Sequence, residues 1–223
     1  MNSVHSRRLT KDHAYSVLKQ KIIEGILKPD EIVREEQLAA MLEISRTPLR
    51  EAIQRLELED FLVRQTNGRL KVASVNKKEM KEIFLIRSML EGSIAKSAAL
   101  LATEHDIINL TNLLEKIKSS FLQQSNHEFV SYGFEFHDYL GKISGLTTFE
   151  KILNMLRDHS LRYCLLVSAN GDWNAQADEE HSLILQKIIE KNPDAAENAM
   201  KDHIFSSLAT AMERIERLDI DEE

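Results

Sequence analysis

The sequence predicts a mainly α-helical protein whose two parts differ in architecture. Only seven glycines and three prolines occur among its 223 residues, and apolar side chains recur at helical spacing along most of the chain. One interval around Asn67 and Gly68 changes to the pattern of a β-hairpin, and every later segment returns to the helical period. We therefore predict a small first domain, residues 1–75, and an all-helical second domain, residues 76–223, that forms a bundle of six to seven helices.

Three helices are predicted before the hairpin. The first carries apolar residues at helical spacing and ends near Gly25, and the segment KPDEI follows it as a turn. The short segment REEQLAAMLEI forms the second helix. The third, SRTPLREAIQRLELEDF, has Ser45 or Thr47 as its cap and Pro48 in its first turn, where the missing N–H removes no hydrogen bond.

The segment FLVRQTNGRLKVASV follows these helices and has the short apolar runs of strands. Asn67-Gly68 at its centre is a strong signal of a two-residue hairpin turn. Three helices followed by a hairpin, with a tight connection between the second and third helices, describe a winged helix-turn-helix.

The second domain keeps the helical period from Asn76 onward, and its breaks fall at glycine-containing segments such as SGLT and NGDW. No internal repeat or low-complexity tract interrupts it. We predict six helices, at about 76–103, 105–124, 126–144, 147–168, 173–191 and 193–218.

Composition places this chain among soluble intracellular proteins. Cys164 is the only cysteine, which excludes an internal disulfide and favours the reducing cytoplasm. The first residues lack a signal-peptide pattern, and no apolar run approaches the roughly 18 to 20 residues of a membrane span, so no membrane partner is expected.

The net charge of −7 is unevenly distributed. Residues 1–75 hold 13 Lys and Arg against 11 Asp and Glu, whereas residues 76–223 hold 16 against 25. The first domain therefore has a balance of +2 and the second a balance of −9. This asymmetry is expected if one end of the chain meets a polyanion.

The third helix places arginines on its exposed side. Arg46 and Arg50 lie one turn apart near its N-terminal end, opposite an apolar side. In a helix-turn-helix this end of the second helix enters the major groove, and the arginine fork matches guanine O6 and N7. The alternative is a solvated face on which Arg50 pairs with Glu51 or Gln54.

Further contacts to DNA are expected around these arginines. Thr47 is placed to meet a phosphate or a thymine methyl group. Arg34 lies at the start of the second helix, and the wing segment NGRLK carries Arg69 and Lys71; these residues suit contacts to the DNA backbone or minor groove.

The segment EEQLAAMLEISRTPLREAIQRLELEDFLVRQTNGRLKV resembles the DNA-binding domain of the GntR family of bacterial transcription regulators, and the run SRTPLREA is highly specific. Two positions differ: the family's Pro-Gly turn is Pro29-Asp30 here, and the glycine that ends its recognition helix is Asp60. We expect altered turn geometry and unaltered function, since Asp tolerates turn conformations. The resemblance implies that Arg46 and Arg50 read an operator. The matching residues are Ser45, Arg46, Thr47, Pro48, Arg50, Glu51, Ala52, Leu56 and Gly68.

Three histidines in the helical domain have apolar neighbours: His137, His181 and His203. Their separations of 44 and 22 residues match no local metal-binding motif, so spacing alone leaves them as unrelated structural histidines. Imidazole is nonetheless a common ligand of Zn, Ni or Cu, and facing helices of a bundle can assemble such a site.

A helical domain behind such a head resembles the FCD domain of the FadR subgroup, and IFLIRSMLEGSIAKSAA resembles its first helix. Many FCD domains bind a divalent metal through three His and an Asp four residues before the first His. The resemblance therefore implies His137, His181 and His203 as ligands of one Zn, Ni or Mn ion per protomer. The Asp position is Gly133, and Glu135 projects to another side of the helix. Water or an effector carboxylate would complete such a three-histidine site.

The resemblance also implies a small effector, such as an organic acid, a sugar acid or a fatty-acid derivative. Arg87 and Arg162 are our candidates to bind its carboxylate, because a guanidinium forms bidentate contacts with carboxylates. The alternative for Arg87 is an ion pair with Glu91, one helical turn later.

We predict a ligand-responsive DNA-binding transcription regulator, a repressor that acts as a homodimer because two-fold operators match two-fold proteins. One rival is a metal-dependent hydrolase in which a three-histidine centre activates water. It leaves the winged head without a role and lacks an obvious general base. A second rival is a DNA-binding protein that responds to no effector.

Overall fold

Residues 2–168 and 171–220 are described by the structure, a computed structural model, with side chains described for residues 10–165 and 174–216. The chain divides into two compact units, Met1–Val75 and Asn76–Glu223. Among the helices that the structure describes, none is long and apolar enough to cross a membrane.

The first unit contains three helices and a small antiparallel sheet. Helix α3 packs against α1 and α2, and its apolar residues Leu49, Ile53 and Leu56 are fully buried there. Burial of this side leaves the polar side of α3 facing outward. The elements are α1 (Asn2–Ile23), β1 (Ile32–Val33), α2 (Glu35–Met41), α3 (Arg46–Leu58), β2 (Leu62–Arg64) and β3 (Leu70–Val72), with strand order β1-β3-β2.

The hairpin is present, but its predicted two-residue turn is wrong. Strand β2 ends at Arg64 and β3 begins at Leu70, and these two residues pair. A two-residue type I′ turn needs positive φ at both central residues. Here only Gly68 of the Asn67-Gly68 pair has positive φ, at +80°. The Asn67 side chain instead accepts a hydrogen bond from the backbone N–H of Arg69 at 3.0 Å, which stabilises a longer turn.

Strand β1 is not among the predicted elements, and its first residue, Ile32, is the last residue of the predicted turn KPDEI. Its two residues are too few to show a period of two, so the sequence carries no local signal for it. It is defined by pairing with β3, in which Val33 lies opposite Leu70. This pairing brings the start of α2 next to the wing.

The two positions that differ from the family's turn glycines both adopt the left-handed conformation. Asp30 has φ +66° and Asp60 has φ +57°, which glycine adopts without strain and aspartate tolerates better than most residues. Asp30 is further held by Lys71 Nζ and by the hydroxyl of Ser74, which donates to Asp30 Oδ1 at 2.8 Å. The turns therefore keep their backbone path without glycine.

The second unit is a helical bundle built around α4, as the periodicity predicts. Helix α4 packs against α6, α7, α8 and α9, and Phe84, Phe136 and Ile204 lie fully buried in the interior. The Asn76 side chain caps α4 by accepting hydrogen bonds from the N–H groups of Lys78 and Glu79. The described helices are α4 (Lys77–Leu101), α5 (Glu104–Leu122), α6 (Asn126–Ser144), α7 (Thr147–Ser168), α8 (Gly171–Ile189) and α9 (Pro193–Ile220).

Candidate DNA-binding face and candidate metal centre

The outward side of α3 carries the arginines that the sequence predicts for DNA recognition. Arg46 is the first residue of α3 and Arg50 lies one turn later, and 64% and 63% of their side chains are exposed. Thr47 is exposed beside them. The three side chains therefore share a solvent-facing surface at the N-terminal end of α3.

A concave surface of about 720 Å³ adjoins this end of the helix. It gathers most of the predicted DNA contacts, whereas Arg46 and Thr47 are not among its lining residues. Arg64, which was not predicted, also lines it, and its exposed position on β2 beside the hairpin turn is the signal that could have identified it. The basic and turn residues that line the surface are Arg34, Arg50, Arg64, Gly68 and Arg69.

The arginines of α3 pair across to α2. Arg50 Nε donates to Glu35 Oε2 at 2.9 Å, and Arg46 Nη2 lies 3.4 Å from Glu36 Oε1. The expected alternative partner Glu51 contacts Lys11 at 2.9 Å. The hydrogen bond from Arg50 holds the pKa of Glu35 below its usual range, so Glu35 is a carboxylate at neutral pH.

In the second unit, three helices bring the three predicted histidines together. His137 lies on α6, His181 on α8 and His203 on α9, and one ring nitrogen from each lies within 4.8 Å of the others. The Nε2 atoms of His137 and His181 are 3.2 Å apart. His181 and His203 are each only 4% exposed. This is the geometry of three imidazoles that converge on one point.

Carboxylates orient two of these rings. Glu91 of α4 contacts Nδ1 of His137, and Glu180 lies 2.9 Å from Nδ1 of His203. A carboxylate at one ring nitrogen fixes the orientation of the imidazole and leaves the other nitrogen available as a ligand. Nδ1 of His181 is buried without a hydrogen-bond partner of normal geometry among the described residues.

The environment keeps the buried histidines neutral. Burial lowers the pKa of His181 well below its usual range, and the neighbouring imidazoles lower it further. Burial also lowers the pKa of His203, which the hydrogen bond that its ring donates to Glu180 only partly offsets. Neutral imidazole is the form that binds metals, so both rings are in the ligand-competent state near neutral pH.

Glu91 belongs to a buried ion pair as well as to the histidine cluster. Arg87 Nε donates to Glu91 Oε1 at 2.7 Å, and both side chains are 6% exposed. Burial raises the pKa of Glu91, but the charges of Arg87 and His137 outweigh this effect and hold the pKa below its usual range. Arg87 Nη1 also lies 3.7 Å from the Cys164 sulfur. The predicted alternative for Arg87, an ion pair with Glu91, is therefore present.

Gly133 faces the histidine cluster from α6. A Cβ atom built at this position would lie 3.6 Å from Cε1 and 3.8 Å from Nε2 of His181, which is ordinary van der Waals contact. A side chain at position 133 would therefore point toward the cluster, but glycine supplies no ligand atom. Glu135 is exposed and does not replace it.

Two cavities adjoin the cluster. One of about 30 Å³ is lined by the three histidines together with Arg87, Gly133, Cys164 and Ser207, among others. The other, of about 190 Å³, shares Arg87 and His137 with it and extends toward α7. Its polar lining consists of Arg87, Glu91, His137, Asp138, Lys142, Glu150, Asn154, Arg157 and Ser160.

The two predicted effector contacts are placed differently. Arg87 lines both cavities. Arg162 is 4% exposed and is not among the described residues that line either cavity. Arg157, on the same helix as Arg162, lines the larger cavity and contacts Asp138. Arg157 and Arg162 are five residues apart and lie about 140° apart around the axis of α7, so they face different neighbours.

Comparison with known proteins accounts for both units. A family model described as "FCD domain" matches residues 82–206, and one described as "Bacterial regulatory proteins, gntR family" matches residues 10–72. The chain belongs to the GntR family of transcription regulators and carries an FCD domain. Because the matching family consists of transcription regulators, the hydrolase alternative is not supported.

Relatives of this GntR-family regulator share most of its length. The Uxu operon regulator of Haemophilus influenzae is 31% identical over 205 residues, which are 84% of this chain and 76% of that protein. The gluconate operon transcriptional repressor of Bacillus subtilis is 26% identical over 149 residues, 67% of this chain and 61% of its own. The structure of E. coli McbR/YncC has the same fold, with a TM-score of 0.75 and 21% identity, and covers 92% of this chain and 98% of its own.

We expect the buried ion pair between Arg87 and Glu91 to contribute to the stability of this regulator. Glu91→Ala leaves Arg87 buried without its carboxylate, and we expect the free energy of unfolding to fall by about 3–5 kcal/mol. Urea unfolding followed by circular dichroism measures this loss. Glu82→Ala on the same helix is the control, because Glu82 lies 3.9 Å from Lys78 in a largely exposed pair and should change stability by less than about 0.5 kcal/mol. Equal effects of the two variants would contradict the assigned role of Glu91.

Proposed function

We propose that this GntR-family regulator is a homodimeric repressor of genes for sugar-acid metabolism, released from its operator by a small carboxylate effector. The observation that carries the proposal is the combination of an arginine-bearing α3 in one unit with a cavity in the other that lies beside three converging histidines and is lined by three basic and three acidic side chains. Cytoplasmic action on DNA is part of the proposal.

Operator recognition is assigned to the start of α3 and to the wing. Arg46, Thr47 and Arg50 would contact base edges and phosphates in the major groove, where arginine is the most frequent reader of guanine. Arg34 and Arg69, with the Gly68 turn, would contact the backbone of the DNA. The exposure of Arg46, Thr47 and Arg50 to solvent supports this assignment.

A divalent metal ion, Zn, Ni or Mn, fits the histidine cluster. Two of the three rings are oriented by carboxylates and all three converge, while Gly133 leaves at least one position without a protein ligand. When bound, such an ion would supply a Lewis-acidic site for a carboxylate oxygen. The protein's own residues would hold the imidazoles of His181 and His203 neutral and all three rings directed toward one another.

The effector is assigned to the larger cavity. Arg87, Arg157 and Lys142 supply positive charge, while Asn154 and Ser160 supply hydrogen-bonding groups. A hydroxylated carboxylate, such as a sugar acid, satisfies both kinds of group. The gluconate operon repressor among the relatives supports this class. On α7, Arg157 lines this cavity and is proposed as an effector contact. Arg162 does not line it, and its contact with the effector stays a prediction from the sequence.

The homodimer is assigned to the apolar surface of α4 and α7. These helices pack against each other, and each exposes large apolar side chains. Met89 is 59% exposed and Met155 is 79% exposed, with Leu85, Ile86 and Ile152 as further exposed residues. Exposed apolar patches of this kind mark protein–protein contacts, and two-fold association suits a palindromic operator.

Arg50→Ala tests operator recognition. We expect it to weaken specific operator binding by about 1–3 kcal/mol, because a guanidinium at a base edge or phosphate is lost, with no change in unfolding temperature. Fluorescence anisotropy with an operator selected from a random duplex pool measures the affinity. Lys28→Ala, which removes one exposed positive charge from the same unit, should weaken binding far less. Equal affinities of Arg50→Ala and the wild type would refute the role.

Metal binding is tested by elemental analysis of protein purified without chelators. We expect about one equivalent per protomer after incubation with Zn, Ni or Mn. Glu180→Gln should weaken metal affinity by about 10–100-fold, because His203 loses its orienting carboxylate. Glu179→Gln changes the neighbouring exposed residue and should leave affinity unaltered. A wild-type protein that takes up none of these metals would contradict the assignment.

Effector control is tested by operator affinity across a panel of organic and sugar acids, with gluconate as the first probe. We expect at least one acid to lower the affinity by about 5–150-fold, the usual range of coupling between two sites. Arg157→Met should abolish the response without altering operator affinity in the absence of acid. An affinity that no acid changes would favour the second rival, a DNA-binding protein without an effector.

A further inference from the structure

Two acidic side chains, Glu35 and Glu36, line the basic face that is assigned to DNA, and Glu35 is much the less exposed of the two. Glu35, the first residue of α2, lines the concave surface between Arg34 and Arg50. Its side chain is only 18% exposed, compared with 63% for Arg50. A carboxylate at this place repels the phosphate backbone and weakens non-specific attraction to DNA. We therefore expect Glu35 to form an interaction that offsets this cost.

Glu35 is held between two arginines. Its Oε2 accepts from Arg50 Nε at 2.9 Å, and its Oε1 accepts from Arg64 Nη2 at 3.5 Å. Arg64 is itself fixed, because its Nε lies 3.0 Å from Glu57 Oε1 and its Nη1 lies 3.4 Å from the carbonyl of Gly68. The carboxylate is therefore anchored to α3 and to the wing turn.

The Arg50 nitrogen that binds Glu35 determines which N–H donors of Arg50 are left to bind DNA. An arginine has five N–H donors, one on Nε and four on the two terminal nitrogens. Glu35 takes the Nε donor, which lies nearest the side-chain stem. The terminal nitrogens, which form the end-on pair that matches guanine O6 and N7 or two phosphate oxygens, are left to meet the DNA. A side chain ordered in advance loses less entropy on binding.

We propose that Glu35 is a positioning residue that increases sequence specificity by fixing Arg50 for end-on readout, at the expense of non-specific affinity. The proposal rests on the assigned role of Arg50 in operator recognition. Arg64 extends the same restraint to the wing, because it connects Glu35 with the Gly68 carbonyl.

The test compares Glu35→Gln with Glu43→Gln in the full-length protein. Glu43 is exposed in the turn between α2 and α3, so both variants remove one negative charge from the helix-turn-helix. Anisotropy titrations at one fixed salt concentration give affinities for the selected operator and for a scrambled duplex. We expect Glu35→Gln to bind the scrambled duplex about twofold more tightly and to lower the ratio of operator to scrambled affinity about tenfold. Glu43→Gln should leave that ratio unaltered.

Two outcomes would overturn the positioning role. Equal gains in affinity for both duplexes would show that Glu35 only repels DNA. Equal losses, accompanied by a lower unfolding temperature, would show that it only supports the fold. Glu35→Asp provides a second test, because it keeps the negative charge but shortens the side chain by one methylene and so moves the carboxylate away from Arg50. It should lower the ratio without tightening binding to the scrambled duplex, and a wild-type ratio would contradict the proposal.

The double variant separates this inference from the function on which it rests. In an Arg50→Ala background, Glu35→Gln should lower the specificity ratio no further, because its effect acts through Arg50. If Arg50→Ala alone leaves the ratio unaltered, the proposed reading role of Arg50 fails. If Arg50→Ala lowers the ratio and Glu35→Gln does not, the reading role stands and only the positioning role fails.

Discussion

The buried pair of Arg87 and Glu91 is the interaction on which the centre of the helical unit depends. Two charges removed from water are tolerable only when each satisfies the other, and the 2.7 Å contact between them does so. The second carboxylate oxygen of Glu91 contacts Nδ1 of His137. The carboxylate that neutralises Arg87 therefore also directs an imidazole, so the electrostatics of the core and the geometry of the candidate metal centre share one residue.

The same carboxylate also relates the centre to the cavity proposed for the effector. Arg87 and Glu91 both line the 190 Å³ cavity, while Glu91 contacts His137 of the cluster. A ligand that competes for the Arg87 guanidinium would alter the pairing of Glu91 and, through it, the orientation of His137. The physical route from Arg87 to the cluster is two contacts long, and both are present among the described side chains.

Helix positions in the second unit could be predicted because the helical period is a local property of the sequence. Helices α6 and α7 span Asn126–Ser144 and Thr147–Ser168, as the pattern predicts. Strand β1 could not be predicted, because two residues carry no period and its pairing partner lies in β3. The predicted type of the hairpin turn was wrong. Asn-Gly occurs both in turns where Asn has positive φ and in turns where its side chain accepts a hydrogen bond, as Asn67 does here.

The candidate sites were predictable to a different extent. The spacing of the histidines matches no metal-binding motif. The prediction that they converge therefore came from a family resemblance, and the geometry of the cluster agrees with it. The carboxylates that contact the site residues were not predicted. Glu91, which contacts His137, is 46 residues away from it in sequence, and Glu35, which contacts Arg50, is 15 residues away. No local pattern encodes such contacts. For Arg87 the local spacing did indicate Glu91, because i and i+4 residues are neighbours on any helix.

Gly133 gives this chain an evolutionary freedom that the rest of the cluster lacks. Each histidine is packed and hydrogen-bonded or buried, so its replacement disturbs several neighbours, whereas position 133 has room for a Cβ at ordinary contact distance. A single base change converts a glycine codon ending in a pyrimidine into an aspartate codon. Replacement of Gly133 by aspartate would thus change the charge and the ligand number of this candidate centre through one substitution on α6, at a position where a Cβ makes only ordinary contacts.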